Sequence, residues 1–185
     1  MTVSETTTRE ATEAPALTDE HTDLLEMLDK HRHFLRFTIR DLTDEQAGLR
    51  TTVSELCLGG LIKHVTGAER SWARFIVEGP SSMPDFTAMT EADWAKRADE
   101  MRMLPGETLA GVLEDYAEAA RQTDELIATL PDLGATQQLP KAPWFEGTAH
   151  WSARRVLMHI MTETAQHAGH ADIIRESIDG AKSMG

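Results

Sequence analysis

In the stretch RRVLMHIMTETAQHAGHADIIRE, Glu163, His167 and His170 follow one another at spacings of four and three. On a helix turning 100° per residue they fall within about 60° of one another, so they share a face. Val156, Ile160 and Ile174 lie on the same side, which cuts this polar strip into the edge of an apolar face, where an unpaired charge is expensive. Two ligands at i and i+4 can meet one cation, the geometric reason this spacing recurs in zinc and di-iron sites. His64 lies on the arc of Leu61, Ala68, Trp72 and Phe75 and is expected to face inward from a second helix. His64, Glu163 and His167 then make a His2Glu set with a fourth position open, as in catalytic zinc sites that acidify a bound water or thiol. The spacing alone also fits a plainer reading, in which a histidine on an apolar face is a hydrogen-bonded core residue and the Glu–His pair is fortuitous.

Several neighbours invite assignment. His170 reads as a fourth ligand, a support for His167 or a substrate contact, and a pocket role is expected of it. His159, one turn before Glu163, reads as support or packing. The KHRH run at Lys30 to His33 alternates on its helix and is expected on a solvated face. Cys57 precedes His64 by seven residues, about 10 Å along a helix axis, too far to share the ion; it reads as a small buried apolar residue. Trp144, Phe145 and Trp151 flank the entry to the last helix, and Trp144 and Trp151 are expected to wall a pocket, with core plugs as the alternative. Asp172, Arg175 and Glu176 read as a surface or interhelical salt-bridge set.

Four long amphipathic helices must position these groups. The first begins at a Thr18 cap with His21 at the third position, and its stripe of Leu24, Leu25, Leu28, Leu35 and Ile39 runs to about Asp41. The second spans Ser54 to Gly79, closed by Gly79 and Pro80. A connection over 81–106 holds a short helical piece near Thr90 to Met101 and suggests a crossover or a pocket wall. The third helix spans Glu107 to Leu130, stopped by Pro131. Residues 131–150 read as an irregular loop, and Ser152 caps a fourth helix that runs to Asp179 before Gly180. No strand alternation competes. The expected fold is all-α: a four-helix bundle with long crossover connections over 17–185, behind a disordered tail at 1–16, whose Thr- and Glu-rich sequence has little to bury.

The chain has 185 residues, enough for one core without metal or disulfide staples, so a metal here would be functional first. Eighteen Lys and Arg against 31 Asp and Glu give a net charge of -13, which repels phosphate backbones and argues against nucleic-acid partners. The single cysteine precludes an internal disulfide, no run is long and apolar enough for a membrane helix, and no secretory signal is visible. A cytoplasmic protein with no membrane partner is expected.

Two segments also carry a resemblance. LIKHVTGAERSW and ETAQHAGHADIIRE, in this order and at this separation, resemble the two metal-binding elements of DinB-like four-helix bundles across roughly residues 18–180. Glu163 stands where many members place His, which is similar to the mycothiol-dependent branch of maleylpyruvate isomerases and mycothiol S-transferases. The resemblance implies one divalent metal at His64, Glu163 and His167, zinc first, with nickel, iron or manganese as alternatives. It implies mycothiol and a small electrophile as partners, and a homodimer is a further expectation. The isomerases' C-terminal domain has no counterpart in this sequence, so isomerase activity is not expected. The leading function is therefore metal-dependent thiol S-transfer. The alternatives are a metal-dependent hydrolase with His170 or His159 as the spare group, and a non-enzymatic metal-binding bundle.

Overall fold

The computed structural model describes residues 17–183; the tail expected at 1–16 lies outside the described residues. Four long helices make the body: α1 (Asp19–Thr38), α3 (Leu58–Glu78), α5 (Leu109–Thr129) and α6 (Ala153–Asp179). Two shorter ones, α2 (Asp44–Ala47) and α4 (Glu91–Asp99), lie in the connections. Around the bundle, α1 packs on α6, α6 on α3, α3 on α5, and α5 back on α1. The links from α1 to α3 and from α5 to α6 therefore cross diagonals of the bundle, which is why both are long.

Side-chain caps set most helix starts. Thr18, Thr108 and Ser152 accept from the backbone N–H three residues on, and Thr43 and Thr90 form reciprocal capping boxes with Gln46 and Asp93. Two expected boundaries move by more than two residues. The second long helix begins at Leu58 rather than Ser54, because the Thr52 hydroxyl accepts from Ser54 N–H and the Ser54 hydroxyl from Leu56 N–H, holding these residues in turns. The first ends at Thr38 rather than Asp41, whose φ of 58° lies in the left-handed region. There the Arg175 guanidinium takes the carbonyls of Thr38 and Arg40 at 2.8 and 2.7 Å.

The loop after α5 is not wholly irregular. Residues Thr136–Gln138 (β1) pair antiparallel with His150–Ser152 (β2), three residues each, too short to show alternation in the sequence. Gln137 ties this ribbon to the end of α3 by donating to the Ile76 carbonyl at 3.3 Å. Gly79 passes beneath it at φ 71°, where a Cβ would lie 2.8 Å from the Gln137 side-chain oxygen.

The apolar core falls into two halves. One gathers Leu35, Ile39, Leu61, Val65, Tyr116 and Ile174; the other Leu28, Phe75, Ile127, Leu157 and Ile160. Between them along the helices lie Arg32, Thr66, Glu69, Thr123 and Thr164, all buried. Arg32 pairs with Glu69 through two nitrogens and with Asp124 at 2.8 Å. The solvated face expected for KHRH is thus corrected at Arg32, only 1% exposed, because Glu69 and Asp124 supply the partners a buried guanidinium requires. Arg175 is likewise buried rather than part of a surface set; its carboxylate partner is Asp179 on its own helix, at 2.9 Å. Asp172 caps Ser183 N–H, and Glu176 pairs with Lys182.

Candidate metal centre

His64 stands on α3 and Glu163 and His167 on α6, two helices packed side by side. At the head of α3, the Cβ of any larger residue at Gly60 would meet the Met101 carbonyl at 2.0 Å, so the α4–α5 connection lies directly on the helix. Lys63 then fixes that connection, donating to the Asp99 and Arg102 carbonyls at 3.1 and 2.8 Å and to the Glu107 carboxylate at 2.7 Å.

The three side chains offer two imidazole nitrogens and a carboxylate oxygen within 4.8 Å of one another. His167 Nε2 lies 3.6 Å and His64 Nε2 3.9 Å from Glu163 Oε2, and the two imidazoles meet edge to face at 4.8 Å. These separations exceed direct hydrogen bonds. They are close to the spacing of about 3.4 Å between donors that each lie about 2.1 Å from a tetrahedral zinc. The His167 imidazole first and that of His64 second hold the Glu163 carboxyl well below the usual carboxylate range, with burial opposing them, so the group is an anion at neutral pH. Nitrogen, nitrogen and carboxylate oxygen, partly buried and facing one point, fit a divalent ion such as zinc.

Other expected site residues sit around this set. His170 Nδ1 lies 3.3 Å from His167 Nδ1, the nitrogen turned away from Glu163, a position that can fix the His167 ring. His170 does not reach the cavity beside the centre. His159 does: its Nε2 is 3.9 Å from the second oxygen of Glu163, and burial pushes its pKa below the ordinary histidine value, keeping it neutral at pH 7. Its ring is wedged edge-on against Trp72 and Trp151. Cys57 is buried immediately before α3 and is not among the residues that converge.

The cavity, about 440 Å³, opens from His64 and Glu163 along α3. Trp144 and Phe145 wall it from the loop before α6, and Phe86, Arg97 and Glu100 from the connection around α4. Trp151 stands behind the wall, stacked on Trp72 with centroids 5.1 Å apart. Phe86, Arg97 and Glu100 carried no signal in the sequence beyond the length of their connection, which has no periodicity to aim them.

The profile of the mycothiol-S-transferase family matches residues 23–180, both helices of the centre included. The chain belongs to that family. No curated protein matches it. Among the described residues, no helix is long and apolar enough to cross a membrane.

Proposed function

We propose that this mycothiol S-transferase family member is a metal-dependent enzyme that transfers the sulfur of mycothiol to a small electrophile. The reading is carried by one observation: the His64, Glu163 and His167 set opens onto an aromatic-walled cavity, while the chain's one cysteine is sealed elsewhere in the core. The nucleophile must then come from solution. The three residues would hold one divalent ion, and a bound ion supplies a Lewis acid that favours the thiolate form of a thiol at neutral pH. Glu163 remains ionised, His170 orients His167, and the aromatic walls keep water from the reacting carbon. In the overall reaction a sulfur–carbon bond forms, the bond from that carbon to its leaving group breaks with its electron pair, and the thiol proton goes to solvent.

The test is thioether formation from mycothiol and an alkyl halide by metal-loaded protein. Product should form faster than in the uncatalysed reaction, stop on chelation and persist in Cys57→Ala. Formation at the uncatalysed rate overturns the proposal. Ester cleavage without any thiol would favour the hydrolase reading, which His159 supports by lying on the cavity beside Glu163, where it can accept a proton from water.

A further inference from the structure

We infer that this cavity takes the electrophile, and that it selects planar aromatic electrophiles bearing an anionic substituent, with the reacting carbon at the His64 and Glu163 end and the anion toward Arg97. The inference rests on the S-transferase reading and adds the substrate class to it.

The shape of the cavity comes from small side chains. On α3, one turn beyond His64, a Cβ at Gly67 would meet nothing within 4 Å, and Ser71 continues the same open strip. Across from it stand Phe86 and Trp144, their rings 5.2 Å apart and tilted by 52°. Trp144 is 58% exposed and stands beside Phe86 on the cavity wall, so its indole is open to a ligand there. A planar ring laid against this wall buries aromatic surface on both partners.

The charge comes from Arg97. Its guanidinium lies over the Phe86 ring, 5.3 Å from the centroid, half-buried on the cavity wall, and no ion pair among the described residues uses it. A planar guanidinium in that setting matches a carboxylate or sulfonate through two parallel hydrogen bonds. The chain as a whole carries a charge of -13, so selection for an anion must be made locally. Glu100, one turn on and exposed at the rim, opposes it. The distance from Arg97 to the metal ligands is also fixed, because Lys63, adjacent to His64, bonds the backbone carbonyls of Asp99, the last residue of α4, and of Arg102 just beyond it. The body of a sugar-bearing thiol is a poor occupant. Apart from Arg97, Glu100 and the groups at the metal end, the wall offers polar side-chain atoms only at Ser71 and at the indole N–H groups of Trp72 and Trp144, fewer partners than the hydroxyls of a sugar require, and hydroxyls buried without partners are costly.

The first measurement is binding of 4-methylbenzoate and of its neutral analogue 4-methylbenzamide, read by tryptophan fluorescence without thiol or turnover, on metal-loaded and metal-free protein. Arg97→Gln should weaken 4-methylbenzoate about tenfold or more and leave 4-methylbenzamide unchanged, as expected for a charge-assisted contact. Glu100→Gln should tighten 4-methylbenzoate, and Gly67→Phe should abolish binding of both compounds while metal content is retained. If 4-methylbenzoate affinity follows the metal and is indifferent to Arg97, the carboxylate goes to the ion and the inference fails.

The second measurement is thioether formation from 4-(bromomethyl)benzoate. The sulfur–carbon bond forms as the carbon–bromine bond breaks, its electron pair leaves with bromide, and the thiol proton goes to buffer. Arg97→Gln should raise the KM of this electrophile and leave that of the thiol. A rise in the thiol KM instead, in Arg97→Gln or Gly67→Phe, would place the thiol in the cavity and overturn the inference. Arg97-dependent binding with no thioether formed would keep the cavity's selectivity for an aromatic anion and remove the S-transferase reading; thioether formation indifferent to Arg97 and Gly67 would keep that reading and overturn the inference.

Discussion

Loss of any one ligand should erase the stabilisation that a divalent ion gives the fold while leaving the metal-free fold nearly as stable as before. An ion that binds the native state alone, held at a hundred times its dissociation constant, adds about 2.7 kcal/mol. For a domain of this size about 1 kcal/mol moves Tm by about 2–4 °C, so saturating zinc should raise Tm by about 5–11 °C. His64, Glu163 and His167 are 24, 29 and 13% exposed at the side chain, and none belongs to either half of the apolar core. Shortening them therefore opens no core cavity, and metal-free His64→Ala and His167→Ala should melt within a few degrees of the parent. The assay is calorimetry of metal-free protein with and without zinc, alongside equilibrium dialysis for stoichiometry. If both alanine variants keep the full zinc-induced shift and one bound ion per chain, the site is elsewhere.

The buried Arg32–Glu69 pair should be expensive to break and cheap to replace. Glu69→Leu leaves a buried guanidinium with only the partly exposed Asp124 and should cost about 3–5 kcal/mol, whereas Arg32→Met with Glu69→Leu should return most of it; equal losses in chemical denaturation would refute this. The Tyr116 hydroxyl is buried without a hydrogen-bond partner among the described residues, so Tyr116→Phe should leave stability unchanged or raise it by about 1 kcal/mol, and a clear loss in urea unfolding would expose an unseen partner. Burial lowers the pKa of His159, so the unfolded chain takes up this proton first, near pH 6.5. Its contribution is fully present above that pH and is lost as pH falls toward the folded value. Metal-free His159→Gln should therefore lose less stability between pH 7 and pH 5 than the parent; equal slopes in urea titrations at each pH would rule the effect out. Glu163 does not confuse that window, because its depressed carboxyl pKa acts below about 4.5.

What could be read from the residues followed their local chemistry. The limits of α6 were legible because Ser152 caps one end with its own hydroxyl and Gly180 stops the other. The pairing of Glu163 with His167 was legible because four residues are one turn, and His64 because its neighbours at three and four are apolar. Burial of Arg32 and Arg175 was not, since it depends on Glu69 and Asp124 in one case and on the carbonyls of Thr38 and Arg40 in the other, all remote in sequence. The cavity wall was hidden for the same reason. Phe86, Arg97 and Trp144 come from connections, and the close approaches at Gly59 and Gly60 and the anchoring by Lys63 bring the α4 segment back over α3.

The polar layer between the two apolar halves accounts for where the centre sits. Glu163 directly precedes Thr164 and His64 stands two residues before Thr66, so the ligands emerge from α3 and α6 at the level where the core is already polar. Ionisable side chains set among Leu61, Leu157 or Ile160 would face aliphatic groups that cannot solvate them. At this level the helices meet through Arg32, Glu69 and threonines whose hydroxyls are spent on their own helices: Thr66 on Ile62, Thr123 on Ala119 and Thr164 on Ile160. Those self-contained bonds ask nothing of the ligands. A buried pair of this kind adds little stability relative to apolar packing, and its best-attested use is to hold elements in one register. Here it joins α1 to α3 and, through Asp124, α1 to α5, while α6 packs against both α1 and α3. One-turn slippage of α3 against α6 would separate His64 from Glu163 by about 5 Å, and it would also pull Glu69 away from Arg32. The register that satisfies the buried guanidinium is thus the register that brings the three ligands together.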